Sequence, residues 1–491
     1  DCVKSGELQI YPTRMKKVYL NWMENIHDWC ISRQLWSGHQ IPVYTCDHCH
    51  HEWASIDKPT ECPHCHSQEF TQESDVLDTW FSSALWPMST LGFPDQHEYL
   101  DYFYPTDVMI TGYDIIFHWV ARMVFSGIHN MGKIPFKKVF LNGLVRDGQG
   151  RKMSKNLGNG IDPVDVINQY GTDALRFSLV YNVTLGSDSR YSMKNAENAS
   201  IFFNKLYNAG KYVLLNIDGA KDLKDAKLNL FDKWILNELN DTVSQVHKRL
   251  DKLDIGAYTT IMYDFVWSKF CDKYIELNKV EPNPSVLLYV YDAILKLLHP
   301  IAPFITEKIY QELPNHKESI LLDSFPTAHK IAYTKDDQKL CDDIFEIVKL
   351  IRGTRGENKI GENIKVDMAV DFKDDAIIKD YEAYFKRLCL INEISYTTPA
   401  STKEYFAKSL VQGSLYIKNP NYKGVDALRT QYLDKIKFYQ AEIDRSNRML
   451  NNAGFLAKAP ESLVSAEREK LAKNMELKRQ QEELLEKLNN E

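Results

Sequence analysis

The chain has 491 residues, enough for about three domains of ~150 residues each. Hydrophobic residues make up 44% of it, which excludes a chain that is disordered throughout, and the formal net charge of −7 excludes a generally basic protein that coats nucleic acid. No apolar run is long enough to cross a membrane and no leader segment opens the chain, so we expect a soluble, cytoplasmic protein. Because the first residue is Asp1 and not Met, we interpret the sequence as a piece of a longer protein.

Residues 1–45 form a mixed segment rich in tryptophan, and residues 46–70 form an island of cysteine and histidine. The island contains two Cys-x2-Cys pairs separated by twelve residues, Cys46 with Cys49 and Cys62 with Cys65. Each turn can place two thiolates on one side of a metal ion, and two turns complete a tetrahedron, so the pattern predicts a structural Zn²⁺. The interleaved histidines leave a mixed ligand set open. The other five cysteines are scattered, as is typical of a reducing compartment.

Residues 71–194 have an α/β pattern. "TDVMI" (106–110) and "KVFLNGLV" (138–145) predict buried strands, and the apolar spacing between them predicts a helix over 114–128. A helix interrupted at Gly171 is predicted for 163–180. The loop between the second strand and this helix contains four glycines and four cations, Arg146, Arg151, Lys152 and Lys155. It is either a solvated surface loop or a loop that holds a polyanion.

The rest of the chain is mostly helical. Long amphipathic stretches over 195–335 predict a helical bundle, and residues 336–423 predict a small mixed domain with a strand at "KVDMAVDF" (365–372). From 424 onward, two stripes of apolar residues flank "NNAGFLAKAP" (451–460), which predicts an antiparallel coiled-coil hairpin.

Four stretches that together are specific to one family occur in this order: "WCISRQLWSGHQIP" (29–42), "DVLDTWFSSALWP" (75–87), "ITGYDIIFHW" (110–119) and "KMSKN" (152–156). Together they resemble the class I aminoacyl-tRNA synthetases and, within them, the valyl-tRNA synthetase family. The stretches "LHPIAPFITEKIY" (298–310) and "FLAKAPESLVSAEREKL" (455–471) extend the resemblance over essentially the whole chain. It matches the carboxyl-terminal part of the family, after the editing insertion.

The resemblance implies an α/β plus all-α fold, with the second half of a class I Rossmann-like catalytic domain. The expected divisions are an entry to the catalytic domain (1–45), a zinc-binding insertion (46–70), the second half of the catalytic domain with the KMSK loop (71–194), a helical anticodon-binding domain (195–335), a small mixed junction domain (336–423) and a coiled-coil tRNA-binding arm (424–491).

The resemblance also implies a ligase that attaches valine to its tRNA through a valyl-adenylate, with ATP and Mg²⁺ as substrate. The lysines of the family's KMSKS motif neutralise charge on the phosphates in the transition state, and this role carries over to Lys152 and Lys155. Gly112 would approach the adenosine and Asp114 would bond the ribose hydroxyls. The implied ATP-binding set is Gly112, Asp114, Asn142, Gly143, Val145, Lys152, Met153, Ser154 and Lys155. Asn156 stands where the family usually has serine.

By the same resemblance Trp80 and Ile115 line the side chain of the bound valine. An apolar pocket gains only ~1–3 kcal/mol per methylene, so it can exclude isoleucine by size but excludes threonine poorly. The His-x-Gly-His motif of the first nucleotide-binding half does not occur in the sequence, and the editing domain is absent from it. We therefore expect very weak amino-acid activation by this chain alone.

The implied partners are tRNA(Val), ATP and L-valine, with no membrane and a monomeric state. In the terminal hairpin the candidate phosphate contacts are Lys435, Lys437, Arg445, Arg448 and Lys458. Three alternatives remain open: the hairpin is a dimerising coiled coil, the chain is an isoleucyl or leucyl relative, or it is a stand-alone zinc-containing RNA-binding module without catalysis.

Overall fold

The computed structural model describes residues 1–361, 363–402, 404–420, 425–452, 454–455 and 459–490. Lys458, one of the candidate phosphate contacts, lies outside these residues. The chain divides into two units. The first contains residues 1–204, 245–262 and 298–305, and the second contains residues 205–244, 263–297 and 306–491.

A three-stranded parallel sheet organises the first unit. Its strands are Gln9–Tyr11, Phe136–Asn142 and Thr106–Gly112, in that spatial order, and their carboxyl ends meet at one edge. The sheet packs on the helical segments through buried side chains. These include Ile10, Met109, Ile116, Val120, Val139 and Leu141. The predicted strand at "TDVMI" is confirmed, and the one at "KVFLNGLV" is confirmed with a break at Gly143, after which Val145–Arg146 forms a short second strand.

The segment after the edge strand differs from the continuous helix predicted over 114–128. A 3₁₀ turn (Tyr113–Ile115) and wide π-type turns (Ile116–Ala121) precede the α-helix Arg122–Met131. Apolar spacing cannot distinguish these turns from an α-helix because it reports which side chains are buried and not how tightly the backbone is wound.

The remaining elements of residues 1–194 are short. The helices are Cys2–Ser5, Arg14–Glu24, Thr79–Ser83, Trp86–Ser89, Glu98–Phe103, Pro163–Tyr170 and Thr172–Val180, with a 3₁₀ turn at Lys155–Leu157. Three strands, Glu52–Ala54, Val43–Cys46 and Phe70–Gln72, form an antiparallel sheet in that order. Two further pairs are Ser32–Arg33 with Val76–Leu77 and Val145–Arg146 with Ser189–Arg190. The predicted helix break at Gly171 is confirmed.

The helical character predicted from residue 195 onward is confirmed. The helices are Met193–Asn216, Leu230–Asp251, Ile255–Asp264, Ile275–Asn278, Pro284–Leu298, Pro303–Tyr310 and Lys335–Glu357, with π-type turns at Phe265–Tyr274 and 3₁₀ turns at Leu223–Asp225 and Ile320–Leu322. Among the described residues, no helix combines the length and the apolar character that crossing a bilayer requires.

The end of the second unit contains a four-stranded mixed sheet. Its strands are Ile391–Ser395, Val366–Phe372, Gly413–Lys418 and Tyr405–Leu410, in that order, with helices Ala376–Asp380 and Glu382–Cys389 beside them. The predicted strand at "KVDMAVDF" is therefore confirmed.

Two long helices follow the sheet, Val425–Leu450 and Glu461–Asn490. Lys470 pairs with Glu442 at 2.7 Å, and the Ser446 hydroxyl donates to Glu467 at 2.6 Å, so the helices run antiparallel. The side-chain amide of Gln480 donates to the Leu410 carbonyl at 3.0 Å, and that of Gln481 donates to the Ser409 hydroxyl at 3.1 Å. These buried contacts attach the base of the helix pair to the edge strand of the sheet.

Candidate functional site

The four cysteines of the island lie together. All four sulfurs are within 4.8 Å of one another, with Cys46 and Cys65 sulfurs 3.5 Å apart and Cys49 and Cys62 sulfurs 3.7 Å apart. A tetrahedron with Zn–S bonds of about 2.3 Å requires sulfurs about 3.8 Å apart, so these residues fit zinc. Among the described residues, the candidate ligand group contains the four cysteines and no histidine.

Backbone geometry explains why the cysteines converge. Each Cys-x2-Cys turn closes on a histidine with a left-handed backbone, since the N–H of His50 donates to the Cys46 carbonyl and the N–H of His66 donates to the Cys62 carbonyl, both at 3.0 Å. The Cys49 N–H also donates to the Cys46 sulfur at 3.5 Å, and this bond is the largest of several hydrogen bonds that lower the pKa of the Cys46 thiol to about 6. These two histidines therefore complete the turns.

The second candidate site lies at the carboxyl edge of the parallel sheet. Gly112 and Asn142 end neighbouring strands and are paired in register. A side chain at Gly112 would place its Cβ 2.7 Å from the Asp114 carboxylate, so glycine lets Asp114 fold back over the strand end. Gly112 is the N-cap of the 3₁₀ turn that contains Asp114, and the Asp114 side chain is 38% exposed. The carboxylate is therefore available at the position where open α/β sheets bind their ligands.

Gly143 marks a close backbone crossing beside this edge. A Cβ at Gly143 would lie 1.9 Å from the carbonyl oxygen of Ser187, so only glycine fits. Asn142, Gly143 and Val145 border a cavity of about 180 Å³ that the segments 183–187 and 253–256 close. Three residues of the implied ATP-binding set are thus brought to one place.

The cationic loop forms a tight hairpin. The Asp147 N–H donates to the Arg151 carbonyl at 3.0 Å, and Gly150 takes a left-handed φ of 84° at the turn. The backbones of Arg146 and Lys152 pair in an isolated antiparallel β-bridge. A 3₁₀ turn follows at Lys155–Leu157, where the Leu157 N–H donates to the Ser154 hydroxyl at 3.3 Å. Gly158 ends this turn with a φ of 57°. Met153 and Ser154 lie between the two turns.

The four cations of this loop have different partners. Arg146 pairs with Asp188, and Arg151 Nε pairs with Asp147 at 2.8 Å. The Lys152 side chain is 69% exposed, and its ammonium only reaches Asp114 at 4.0 Å. Within the part of the chain that the structure describes, Lys155 makes no ion pair and is exposed. The folded loop therefore pairs both arginines closely, holds Lys152 only by its 4.0 Å contact with Asp114, and leaves Lys155 exposed.

Asp188 organises the same edge and was missed by the sequence analysis. Its carboxylate accepts the Leu144 N–H at 2.9 Å and the Tyr113 hydroxyl at 3.3 Å, and it pairs with Arg146. The Leu144 N–H and then the Arg146 guanidinium lower the pKa of Asp188. It lies far along the chain from the motifs it contacts, so spacing could not have found it.

Trp80 and Ile115 lie on elements that meet. Trp80 stacks on His118, with ring centroids 5.7 Å apart, and His118 follows Ile115 by less than one helical turn. Asp78 precedes Trp80, and its carboxylate accepts Trp29 Nε1 at 2.9 Å and Arg33 Nη2 at 2.7 Å. The "WCISRQ" stretch, for which the sequence suggested no chemistry, therefore braces the start of the Trp80 helix.

The candidate phosphate contacts of the terminal helices also differ. Lys437, Arg445 and Arg448 are exposed, whereas Lys435 is partly buried beside Lys408. Burial first and the neighbouring ammonium second lower the pKa of Lys435 to about 8. The sequence could not distinguish Lys435 from the other three cations.

Three family models match the chain in order. The model of class I tRNA synthetases (I, L, M and V) matches residues 2–192, the anticodon-binding domain of tRNA ligase matches 232–370, and the tRNA binding arm of valyl tRNA synthetase matches 424–490.

Similar curated proteins include two clostridial valine–tRNA ligases. That of Clostridium acetobutylicum is 44% identical over 492 residues, which cover 96% of this chain and 55% of the relative. That of Clostridium tetani is 42% identical and covers 97% of this chain and 56% of the relative. The chain therefore spans about half the length of the relatives it matches.

Among solved structures, the LeuRS of Agrobacterium radiobacter K84 agnB2, in a ternary complex with tRNA and LeuAMS, is similar in fold. Its TM-score is 0.53 at 19% identity, and the match covers 64% of this chain and 46% of that one. The ordered family models and the two relatives agree with this fold. The chain belongs to the class I tRNA synthetases of the I, L, M and V group, and its curated relatives within that group are valine–tRNA ligases.

Proposed function

We propose that the chain carries the phosphate-facing half of a valine–tRNA ligase. The observation that carries this proposal is the difference between the loop cations: Arg146 and Arg151 are closely paired, whereas Lys152 is exposed with only a 4.0 Å contact to Asp114, and Lys155 is exposed. Two exposed ammonium groups on the loop that follows the carboxyl edge of a parallel sheet suit a polyphosphate.

The proposed reaction is adenylation followed by transfer to tRNA. A carboxylate oxygen of valine attacks the α-phosphorus of Mg²⁺-ATP, the bond to the bridging oxygen breaks, and pyrophosphate leaves. Lys152 and Lys155 neutralise charge on the phosphates as it develops. Asp114 bonds the ribose hydroxyls, and Gly112, Asn142, Gly143 and Val145 receive the adenosine with the backbone of Met153 and Ser154. Trp80 and Ile115 line the valine side chain.

The exposed edge of the sheet supports a site completed by further chain. The strand Thr106–Gly112 is an edge strand, and its Ile110 is 62% exposed. An apolar edge of this kind fits one more strand, and the relatives contain about as much additional chain as this one spans. Activity of the chain alone is therefore expected to be very weak.

Three further assignments complete the proposal. Cys46, Cys49, Cys62 and Cys65 hold a structural Zn²⁺ within an insertion at 46–70, between the entry (1–45) and catalytic (71–194) segments. Residues 195–335 form the anticodon-binding domain for tRNA(Val), an assignment supported by the family model over 232–370, and 336–423 form the junction domain. The antiparallel helices of 424–491 form a coiled-coil arm that contacts the same tRNA. We propose a cytoplasmic monomer.

The test is ATP–pyrophosphate exchange with valine, isoleucine and threonine. It is run on the chain alone and on a joined protein, in which the unmatched amino-terminal part of the Clostridium acetobutylicum relative precedes this chain. We expect weak exchange by the chain and strong valine-dependent exchange by the joined protein, with isoleucine about 10–200-fold poorer. Near-full exchange by the chain alone contradicts the half-site, and an inactive joined protein favours the RNA-binding module without catalysis.

A further inference from the structure

The lysine loop (145–160) contains a buried carboxylate, that of Asp147, and the side-chain amide of Asn159. The Asp147 carboxylate accepts four hydrogen bonds: from the N–H of Gln149 at 3.0 Å, the N–H of Arg151 at 2.8 Å, the Arg151 guanidinium at 2.8 Å and the Asn159 side-chain amide at 2.9 Å. The Asn159 amide and then the Arg151 contacts hold the pKa of Asp147 well below its usual range. Asp147 therefore stays ionised and fixes both ends of the loop.

Asn159 passes this constraint to the KMSK backbone. Its Oδ1 accepts the N–H of Ser154 at 2.9 Å, and its Nδ2 donates to the carbonyl of Lys152 at 3.3 Å as well as to Asp147. The Asn159 side-chain amide therefore forms hydrogen bonds with the backbone on both sides of Met153. None of these bonds involves the Lys152 ammonium, whose side chain remains 69% exposed.

Resting on the proposed function, we propose that Asp147 and Asn159 are positioning residues of the adenylation site. The hydrogen bonds of Asn159 with Asp147, the Lys152 carbonyl and the Ser154 N–H are called the latch below. The latch holds the Lys152–Ser154 backbone as one rigid unit, so that the lysines are already correctly placed when the loop meets the phosphates. Both act through the loop backbone and not through contact with substrate in this proposal. A lysine on a loose backbone would reach the phosphates only in a fraction of conformations, and a displacement of about 1 Å can cost about 100-fold in rate.

The latch is tested first on the 491-residue chain by hydrogen–deuterium exchange, with fragmentation that resolves the Arg151 and Ser154 amides. We expect N159A and D147N to accelerate exchange at the Ser154 amide by about tenfold or more, since each removes a link of the latch. N156A is the matched control, because Asn156 is exposed in the same loop and contributes nothing to the latch. Unchanged exchange at Ser154 in N159A overturns the latch.

A reciprocal pair of variants separates the latch from general damage. N159D places two carboxylates against each other, which disfavours both charges and should loosen the loop most. D147N/N159D restores a donor opposite the new carboxylate and keeps the acceptor for the Ser154 N–H. We expect the double variant to exchange more slowly at Ser154 than N159D. If the increases in Ser154 exchange in D147N and N159D simply add in the double variant, Asp147 and Asn159 are not paired.

The positioning role is tested by exchange kinetics of the joined protein. N159A should lower kcat of adenylate formation by about 10–100-fold and leave KM for valine unchanged. Loss of amide protection with unchanged kcat overturns the positioning role. A wild-type joined protein without valine-dependent exchange contradicts the proposed function instead, and the amide measurements on the chain still decide whether the latch exists.

Discussion

The zinc island (46–70) and the lysine loop (145–160) are both short and polar, yet they are held in opposite ways. Within the island the buried side chains are Cys46 and Cys62, both fully buried, so its core consists of sulfurs of the proposed zinc site. The loop instead folds around the Asp147 carboxylate. The first arrangement would make folding depend on a metal. The second leaves Lys152 and Lys155 exposed.

The strongest test of this contrast is C62S, which removes one of the two buried sulfurs. We expect loss of stoichiometric zinc and local unfolding of 46–70, because structural zinc supplies about 10–16 kcal/mol of folding free energy. Metal analysis and cleavage by a glutamate-specific protease at the exposed Glu52 and Glu61 measure the two effects. C30S is the control, since Cys30 is exposed and outside the cluster. A C62S protein that keeps zinc and resists cleavage would falsify a metal-dependent core.

The loop side of the contrast is tested by K152A and K155A in the joined protein. Each should lower kcat of valine-dependent exchange by about 100–1000-fold, the usual loss for a group that stabilises developing charge, with little change in KM for valine. Because the loop folds without these side chains, thermal stability should stay unchanged. K137A is the control, since Lys137 is paired with Asp107 at the surface. Equal losses in K137A and K152A contradict a specific role for the free lysines.

A change of intermediate size is expected in the stability of the protein when Asp188 is replaced. D188N loses the Arg146 pair, so the free energy of unfolding should fall by about 1–3 kcal/mol at pH 7. The pKa of Asp188 is lowered in the folded protein, so its contribution is present above the unfolded carboxyl pKa of about 4 and is lost as pH falls through the lowered folded value.

Urea unfolding at pH 7 and below pH 4, followed by tryptophan fluorescence, measures this change. The wild type should lose more stability than D188N between the two conditions. D107N is the control, because the Asp107 side chain is 86% exposed. An equal pH dependence in wild type and D188N means that the ionised Asp188 carboxylate does not stabilise the fold.

What the sequence could predict follows from the same contrast. The Cys-x2-Cys spacing predicted that the four cysteine sulfurs converge because all four lie within twenty residues and close locally. Strand patterns predicted the two neighbouring strands, and the resemblance alone assigned Gly112 and Asn142 at their carboxyl ends, which the structure pairs in register. Sequence patterns mark Asp147 only as a negative charge among the loop cations, and they give no sign of Asp188. The roles of both carboxylates depend on which backbone amides the fold aims at them, and residue spacing does not record that.

The smallest expected effects lie in the terminal helices, where the structure separates cations that the sequence grouped together. K437A and R448A should each reduce the slope of log Kd for a tRNA(Val) transcript against log salt by about one, since each removes one exposed phosphate contact. K435A should leave that slope nearly unchanged because Lys435 is partly buried beside Lys408 and is less open to a phosphate than the exposed Lys437 and Arg448. K435A therefore serves as the matched control from the same helix. If all three variants keep the slope of the wild type, these cations bind no phosphate. The dimerising coiled coil then becomes the better interpretation of this arm.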